Sequence, residues 1–220
     1  MSSFVWMKVL ESAPQRYDRG IRMLSRGRIQ HVYERIAKLA AAPGKRILDI
    51  GCGTGGVSLA CAACGAAVIG IDIDAGMLEV ARSKPAPSPG SAEFLELAAA
   101  EIEDRFPEAS FDAVVSCLAM SELSCDEQDY TLRVARSRLM PGGKLVIADE
   151  TMPRGCRLSG LAYRVRRWPI AAATYLLTQT TTRPVLNLRQ RVQAAGFCGV
   201  EEETMWSGSF VIVHAVKGKS

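Results

Sequence analysis

The run Arg46-Ile47-Leu48-Asp49-Ile50 leads straight into Gly51-Cys52-Gly53-Thr54-Gly55, and residues 57–63 then carry the character of a helix. No other feature constrains the fold of these 220 residues as strongly. Close-spaced glycines after a buried strand let the backbone turn through conformations denied to residues with a Cβ, and let a ligand approach the main chain. A second strand at Val68-Ile69-Gly70-Ile71 puts Asp72 about 20 residues beyond the loop, where a carboxylate can take both ribose hydroxyls of a nucleoside. Loop, strand order and acid together define a site for an adenosine-containing cofactor.

The rest of the chain alternates short apolar runs with amphipathic helices, without internal repeats, and such alternation implies a parallel sheet. After an irregular N-terminal segment, Ile29, Val32, Ile36 and Leu39 mark a helix over 26–41, stopped by Pro43-Gly44. Asp74 is a good N-cap for the helix after the second strand. Residues 94–97, 111–117 and 144–148 read as strands three to five, with a helix over 126–139 announced by the capping box Ser124-x-x-Glu127 and a turn at Pro141-Gly142-Gly143. Leu188, Val192 and Ala195 mark a last helix closed by Gly196 and Phe197, and residues 200–204 and 210–215 form an antiparallel hairpin. The expected fold is a single α/β domain over 1–220: a doubly wound, Rossmann-like, mostly parallel seven-stranded sheet ending in an antiparallel hairpin. Residues 1–42 form an N-terminal helical lid segment.

Residues 152–184 exceed what one crossover needs and read as a helical lid insertion after the fifth strand. Leu158, Leu161, Ala162, Val165 and Trp168 share one face there, with Arg157, Arg164 and Arg167 on another and Tyr175 further along. The arginines form either a solvated face or, with the apolar stripe opposite, a docking surface for an acidic protein partner or a membrane surface. A hydrophobic content of 48% suits one substantial core, while a formal charge of +4 is too small to imply a nucleic-acid partner. The start of the chain has no secretory pattern, no apolar stretch spans a membrane, and seven cysteines suit the reducing cytoplasm.

The loop spacing is G-x-G-x-G preceded by Asp49, not the G-x-G-x-x-G of a dinucleotide fold. An acid at the mouth of the loop repels a pyrophosphate and attracts the ammonium group of an amino acid, which favours S-adenosylmethionine (SAM) over NAD. The segments Asp49-Ile50-Gly51-Cys52-Gly53-Thr54-Gly55, Gly70-Ile71-Asp72-Ile73-Asp74 with Met77-Leu78, Ser110-Phe111-Asp112-Ala113-Val114-Val115-Ser116, and LMPGGKLVIAD over 139–149 resemble class I SAM-dependent methyltransferases of the type 11 group, which includes ubiquinone and menaquinone biosynthesis enzymes. The resemblance runs from Tyr17 to the C-terminus. It implies that Asp49, Gly51, Cys52, Gly53 and Gly55 face the methionine part of SAM, Asp72 its ribose and Ile73 its adenine, with Met77 and Ser116 completing the set. Arg16-Tyr17-Asp18 is similar to the family's N-terminal lid, whose Tyr closes over the cofactor. One departure concerns the Asp-Ala pair usual after the third strand: Ala98-Ala99-Ala100-Glu101-Ile102-Glu103 stands there, so Glu101 replaces the adenine-binding acid, with Ile102 against the ring.

SAM carries an activated methyl, so the protein chiefly aligns the acceptor with it, and a base is needed only if the acceptor must lose a proton. Glu122, in the loop after strand four, is the candidate base or substrate anchor; its alternative is a capping or solvated acid. Asp149-Glu150 ends the fifth strand near the same place. Cys61-x-x-Cys64 lies within a helix without a second such pair and reads as small buried residues. Cys117 and Cys125 bracket the end of strand four, where a thiol could meet a soft acceptor or simply pack, and no metal site is expected. The acceptor is a small, apolar or mixed molecule held under the lid. The stretches VWMKVLESAPQRYDRG and TYLLTQTTTRP also resemble corrinoid protein-associated methyltransferases, which implies a protein or cobamide-related partner as the alternative.

Overall fold

The computed structural model describes residues 13–85, 87–152 and 184–219. The proposed lid helices with their arginines, Tyr175, and the first part of the corrinoid-type N-terminal stretch lie outside them.

Seven strands form one sheet: β1 (Arg46–Ile50), β2 (Ala67–Asp72), β3 (Ser91–Glu96), β4 (Phe111–Cys117), β5 (Leu139–Glu150), β6 (Cys198–Met205) and β7 (Phe210–Val216). Their order is β3-β2-β1-β4-β5-β7-β6. The five strands from β1 to β5 pair in parallel, whereas β7 pairs antiparallel with both β5 and β6. The chain builds outward from β1 to β3 and then returns to lay β4 on the other side of β1. That reversal opens a crevice at the carboxyl ends of β1 and β4, the place where ligands bind in such sheets.

Among the described residues the α-helices are α1 (Pro14–Leu24), α2 (Ile29–Ala40), α3 (Gly56–Ala63), α4 (Ala75–Ser83), α5 (Ile102–Arg105), α6 (Cys125–Arg138) and α7 (Leu188–Ala194). Alternation along the central strands feeds two cores. Leu48, Ile50, Val114, Leu145 and Ile147 pack with Leu132 of α6 and Val192 of α7, while Ile47, Ala113, Val115 and Val146 pack with Ile36 of α2 and Val57 of α3. Both faces of the parallel strands are therefore covered, which is why they read as continuous apolar runs. Leu132 and Ile36 are fully buried, and cutting either to Ala costs about 2–5 kcal/mol.

Local signals behaved as their physics requires. Ser124 Oγ accepts from Glu127 N–H at 3.3 Å and the Glu127 carboxylate accepts from Ser124 N–H at 2.7 Å, so the capping box is closed in both directions. Gly196, at φ +87°, ends α7 with Gly196 N–H donating to Gln193 O and Phe197 N–H to Val192 O, while Phe197 is buried.

Three readings need adjustment. The N-terminal segment is helical from Pro14, whose missing N–H is harmless in a first turn, and Tyr17, Gly20, Ile21 and Leu24 fall on one face at helical spacing. Strand β3 begins at Ser91 because an edge strand pairs on one side only and tolerates polar residues. Pro141-Gly142-Gly143 belongs to an irregular start of β5, where the pairing with β4 shifts register between Phe111 and Ala113. Among the described residues, no helix is long and apolar enough to cross a membrane.

Candidate active site

A cleft of about 250 Å³ opens at the carboxyl ends of β1, β2 and β4. Its walls come from Ile50 and Gly51 at the end of β1, Asp72, Ile73 and Asp74 at the end of β2, Leu97 and Ala99 after β3, and Cys117, Leu118 and Ala119 at the end of β4. Met77 of α4, Tyr17 of α1, and Glu122 with Leu123 complete it. A smaller cavity of about 30 Å³ adjoins it behind the glycine loop, lined among others by Tyr17, Tyr33, Asp49, Cys52, Thr54 and Cys117.

The loop is held by its own backbone. Gly51 and Cys52 both donate to Ile71 O, at 2.9 and 3.0 Å, which ties the end of β1 to β2. Gly51 has φ +69°, and a Cβ there would lie 2.3 Å from the Ala119 Cβ, so the loop can touch the β4 side only as glycine. Gly53, at φ +53°, is the opposite case: a Cβ there would meet nothing within 4 Å, because that side faces open cleft. Gly55 lies behind the loop against Phe94 and starts α3.

Asp72 is fixed from two sides. One carboxylate oxygen accepts from Gly53 N–H at 2.8 Å and the other from Asp74 N–H at 3.0 Å. Burial raises its pKa, and these two backbone donors oppose the rise. Asp74 in turn caps α4 by accepting from Met77 N–H at 3.0 Å. Ile73 beside it is 73% exposed, an unusual degree for a large aliphatic side chain on the wall of a cleft.

Asp49 is buried at the end of β1. Its Oδ2 accepts from Ser58 Oγ at 2.6 Å, while Oδ1 has no hydrogen-bond partner among the described residues. Burial pushes its pKa up to about 7, and the charge of Asp72 adds to the effect. A second buried acid, Asp149 at the end of β5, is likewise raised to about 7 by burial. Its oxygens accept from Ser121 N–H at 3.0 Å and Glu150 N–H at 2.7 Å. Asp149 thus holds the one-turn helix Met120–Glu122 that carries Glu122 to the cleft wall. Leu118 begins that connection in a left-handed conformation, φ +63°, with its N–H on Ala148 O. Cys117 lines both cavities, and burial pushes its thiol pKa up, so it stays protonated.

Of the residues expected from sequence, Tyr17, Gly51, Gly53, Asp72, Ile73, Met77 and Glu122 meet in the main cleft, and Asp49 and Cys52 border the smaller cavity. Ser116 lies apart from both linings and donates to Ile50 O at 2.9 Å, bridging β4 to β1. Glu101 accepts from Ala98 N–H at 2.9 Å and closes its own turn, and Ile102 is fully buried in the core beneath it. His31 is exposed beside Glu34, and His214 lies beside Glu201 and Glu203 on the outer strands. Among the described residues no His, Cys, Asp or Glu cluster could hold a metal. Sequence reasoning did not single out Tyr33, Thr54, Leu97, Ala99, Ala119 and Leu123. Tyr33 was findable, since it is the helical neighbour of buried Ile29 and Ile36 and packs where a Gly56 side chain would stand.

Comparison with known proteins agrees with this geometry. A family model described as a methyltransferase domain matches residues 47–143. Demethylmenaquinone methyltransferase of Clavibacter sepedonicus is 31% identical over 218 residues, covering 91% of this chain and 85% of the relative. Ubiquinone biosynthesis O-methyltransferase of Pseudomonas syringae is 38% identical over 110 residues, 50% of this chain and 46% of that protein, so the chain matches about half the length of this second relative. A crystal structure of a SAM-dependent methyltransferase from Methanosarcina mazei shares the fold, with a TM-score of 0.61 at 23% identity, covering 84% of this chain and 98% of that one. Glycine loop, acid after β2, sheet order and relatives converge: this chain belongs to the class I SAM-dependent methyltransferases of the type 11 group.

Proposed function

We propose that the enzyme methylates a small, largely apolar acceptor of the quinone type, bound between the cofactor end of the cleft and Glu122. The observation that carries the reading is the shared wall. Asp72 and Gly53 on the β1–β2 side and Glu122 on the β4 side line one and the same cleft, whose wall also includes the apolar Leu97, Leu118, Leu123 and Met77.

The residues present suit SAM. The unpartnered Asp49 Oδ1 is an acceptor for an ammonium group. Each Asp72 oxygen already takes one backbone N–H and keeps a second lone-pair site for a ribose hydroxyl. The exposed face of Ile73 offers an apolar surface to an adenine ring, and the empty side of Gly53 leaves room for the methionine chain. Glu101 and Ile102, turned to their own helix and core, suit adenine binding less well than Leu97 and Ala99, which line the cleft.

When bound, SAM supplies a methyl carbon activated by its sulfonium. The protein's part is alignment and, for an acceptor that must lose a proton, acceptance of that proton by Glu122. All charged side chains in the described lining, Asp72, Asp74 and Glu122, are acidic, which suits a cationic cofactor and a neutral acceptor and disfavours an anionic one. The names of the relatives, a demethylmenaquinone and a ubiquinone-pathway methyltransferase, support a quinol.

Residues 152–184 are the proposed cover of the acceptor end. Val185 N–H donates to Glu150 O at 3.0 Å and Thr151 Oγ1 to Val185 O at 2.9 Å, so the chain leaves and rejoins the sheet at one point beside Asp149. Seven cysteines, six of them free among the described residues, accord with a cytoplasmic location. The test is transfer of labelled methyl from SAM to demethylated naphthoquinols and benzoquinols, compared with amines, thiols and carboxylates of similar size. Turnover restricted to the quinols supports the reading; turnover only on a charged acceptor overturns it.

A further inference from the structure

Three polar contacts that the chemistry above does not use fasten α1 to the glycine loop. The Thr54 hydroxyl donates to Asp18 Oδ1 at 2.5 Å. The Lys84 ammonium faces Asp18 Oδ2, also at 2.5 Å, and donates to the Thr54 carbonyl oxygen at 2.6 Å. Lys84 is the C-cap of α4, so a single cation gathers the N-terminal helix, the cofactor loop and the end of α4 into one knot. Pro14, at the other end of the same contact, packs against α4 so closely that a Cβ on Gly76 would lie 3.2 Å from its ring.

Thr54 is buried between Gly53 and Gly55, and Tyr17, the neighbour of Asp18, lines both the cleft and the small cavity. The Asp18 and Lys84 side chains line neither; they keep 42% and 22% of their exposure. A pair of this kind is screened by salt and holds weakly. Such a fastening suits a part that must open in each catalytic cycle better than it suits a permanent core contact.

We propose that Asp18 and Lys84 are positioning residues that hold α1 and Tyr17 closed over the cofactor end of the cleft, and so set how fast SAM enters and S-adenosylhomocysteine leaves. The inference rests on the reading of this cleft as the SAM site. It assigns the two side chains no contact with the cofactor. Opening the knot frees the helix from Thr54 while Gly51, Cys52 and Gly53 stay bonded to β2, so retention of the cofactor, not its chemistry, is what the pair controls.

The experiment is stopped-flow measurement of SAM release from the full chain and from Asp18→Asn, Lys84→Met, the double variant and Lys84→Arg, at low and high salt. Each single change should speed release about five- to tenfold, the double variant should be no faster than either single, and Lys84→Arg should recover most of the wild-type rate. High salt should quicken release from the wild type and from Lys84→Arg, and leave Asp18→Asn, Lys84→Met and the double variant unmoved. Release within twofold of wild type in folded Asp18→Asn and Lys84→Met overturns the proposal, as do single effects that multiply in the double variant, or lowered thermal stability with unchanged release. Should Lys84→Met fail to fold, the nearly isosteric Asp18→Asn carries the same measurement. A wild type that does not bind SAM removes the site itself, and the proposal with it; a wild type that binds SAM with unaffected variants removes only the knot.

Discussion

The two ends of the cleft are built on different principles. At the β1–β2 end, backbone conformation does the work: Gly51 and Gly53 at positive φ, Asp72 held by two peptide N–H groups, and Asp74 capping α4. At the β4–β5 end, side chains do it: buried Asp149 holds the Ser121 peptide, and the turn it fixes presents Glu122. Backbone requirements restrict residue type severely, since few residues other than glycine adopt φ near +60° at low cost. A side-chain wall admits many solutions, which lets the β4–β5 side vary while the β1–β2 side keeps one form.

Separation of the two ends predicts separable defects. Gly53→Val should cause the largest, because the branched side chain enters the open space beside the loop; calorimetry should detect no SAM binding while far-UV circular dichroism stays native. Some loss of thermal stability, about 1–3 kcal/mol, should accompany it from the positive φ. Glu122→Gln should act at the other end only, lowering kcat about 100-fold with SAM affinity unchanged, as loss of a proton acceptor does. A Glu122→Gln enzyme with full turnover would leave that residue as a wall and no more. Asp72→Ala should weaken SAM binding by about 1–3 kcal/mol, seen as a higher KM for SAM with little change in the KM for the acceptor.

The smallest effect, and the finest comparison, concerns the two buried acids. Asp49 and Asp149 both carry pKa values near 7, raised by burial. Only Asp49 has an unpartnered oxygen, and an ammonium partner requires its carboxylate to be ionised. Below about pH 7 the free enzyme holds Asp49 protonated, so SAM binding must expel that proton, and affinity should rise as pH passes from 6 to 8 by up to about tenfold. Asp49→Asn should flatten this dependence; Asp149→Asn should preserve it. For stability the sign is opposite. Each acid is protonated in the native state above the pH at which the unfolded chain has ionised, so native stability should fall as pH rises from about 4 to 7.

The same contrast explains what the sequence made legible. Glycine spacing, the capping box and apolar alternation are local signals, and they yielded seven strands in a mostly parallel sheet and the closing hairpin, but not the order of the strands across it. They also yielded Asp49, Asp72, Ile73 and Met77, because these follow the loop and β2 at fixed intervals. Helix α1 was expected only as part of a helical lid segment with an irregular start, and its bounds were not legible until Pro14 was seen to begin it. Glu101 was expected at the cleft because an acid stood near the right place, but a turn of three residues uses its carboxylate locally. Lys84 and the hydrogen bond made by Thr54 could not be placed by interval: Asp18, the partner of both, is 66 and 36 positions away and meets them only through the tertiary fold.

The central claim is that the β1–β2 end binds the cofactor and the β4–β5 end does not. Calorimetric titration of SAM into wild type, Asp72→Ala and Glu122→Gln, run side by side, tests it most directly. The account predicts tight binding to wild type, binding weakened by about 1–3 kcal/mol in Asp72→Ala, and wild-type affinity in Glu122→Gln. Equal affinity for wild type and Asp72→Ala, or a loss confined to Glu122→Gln, would contradict it.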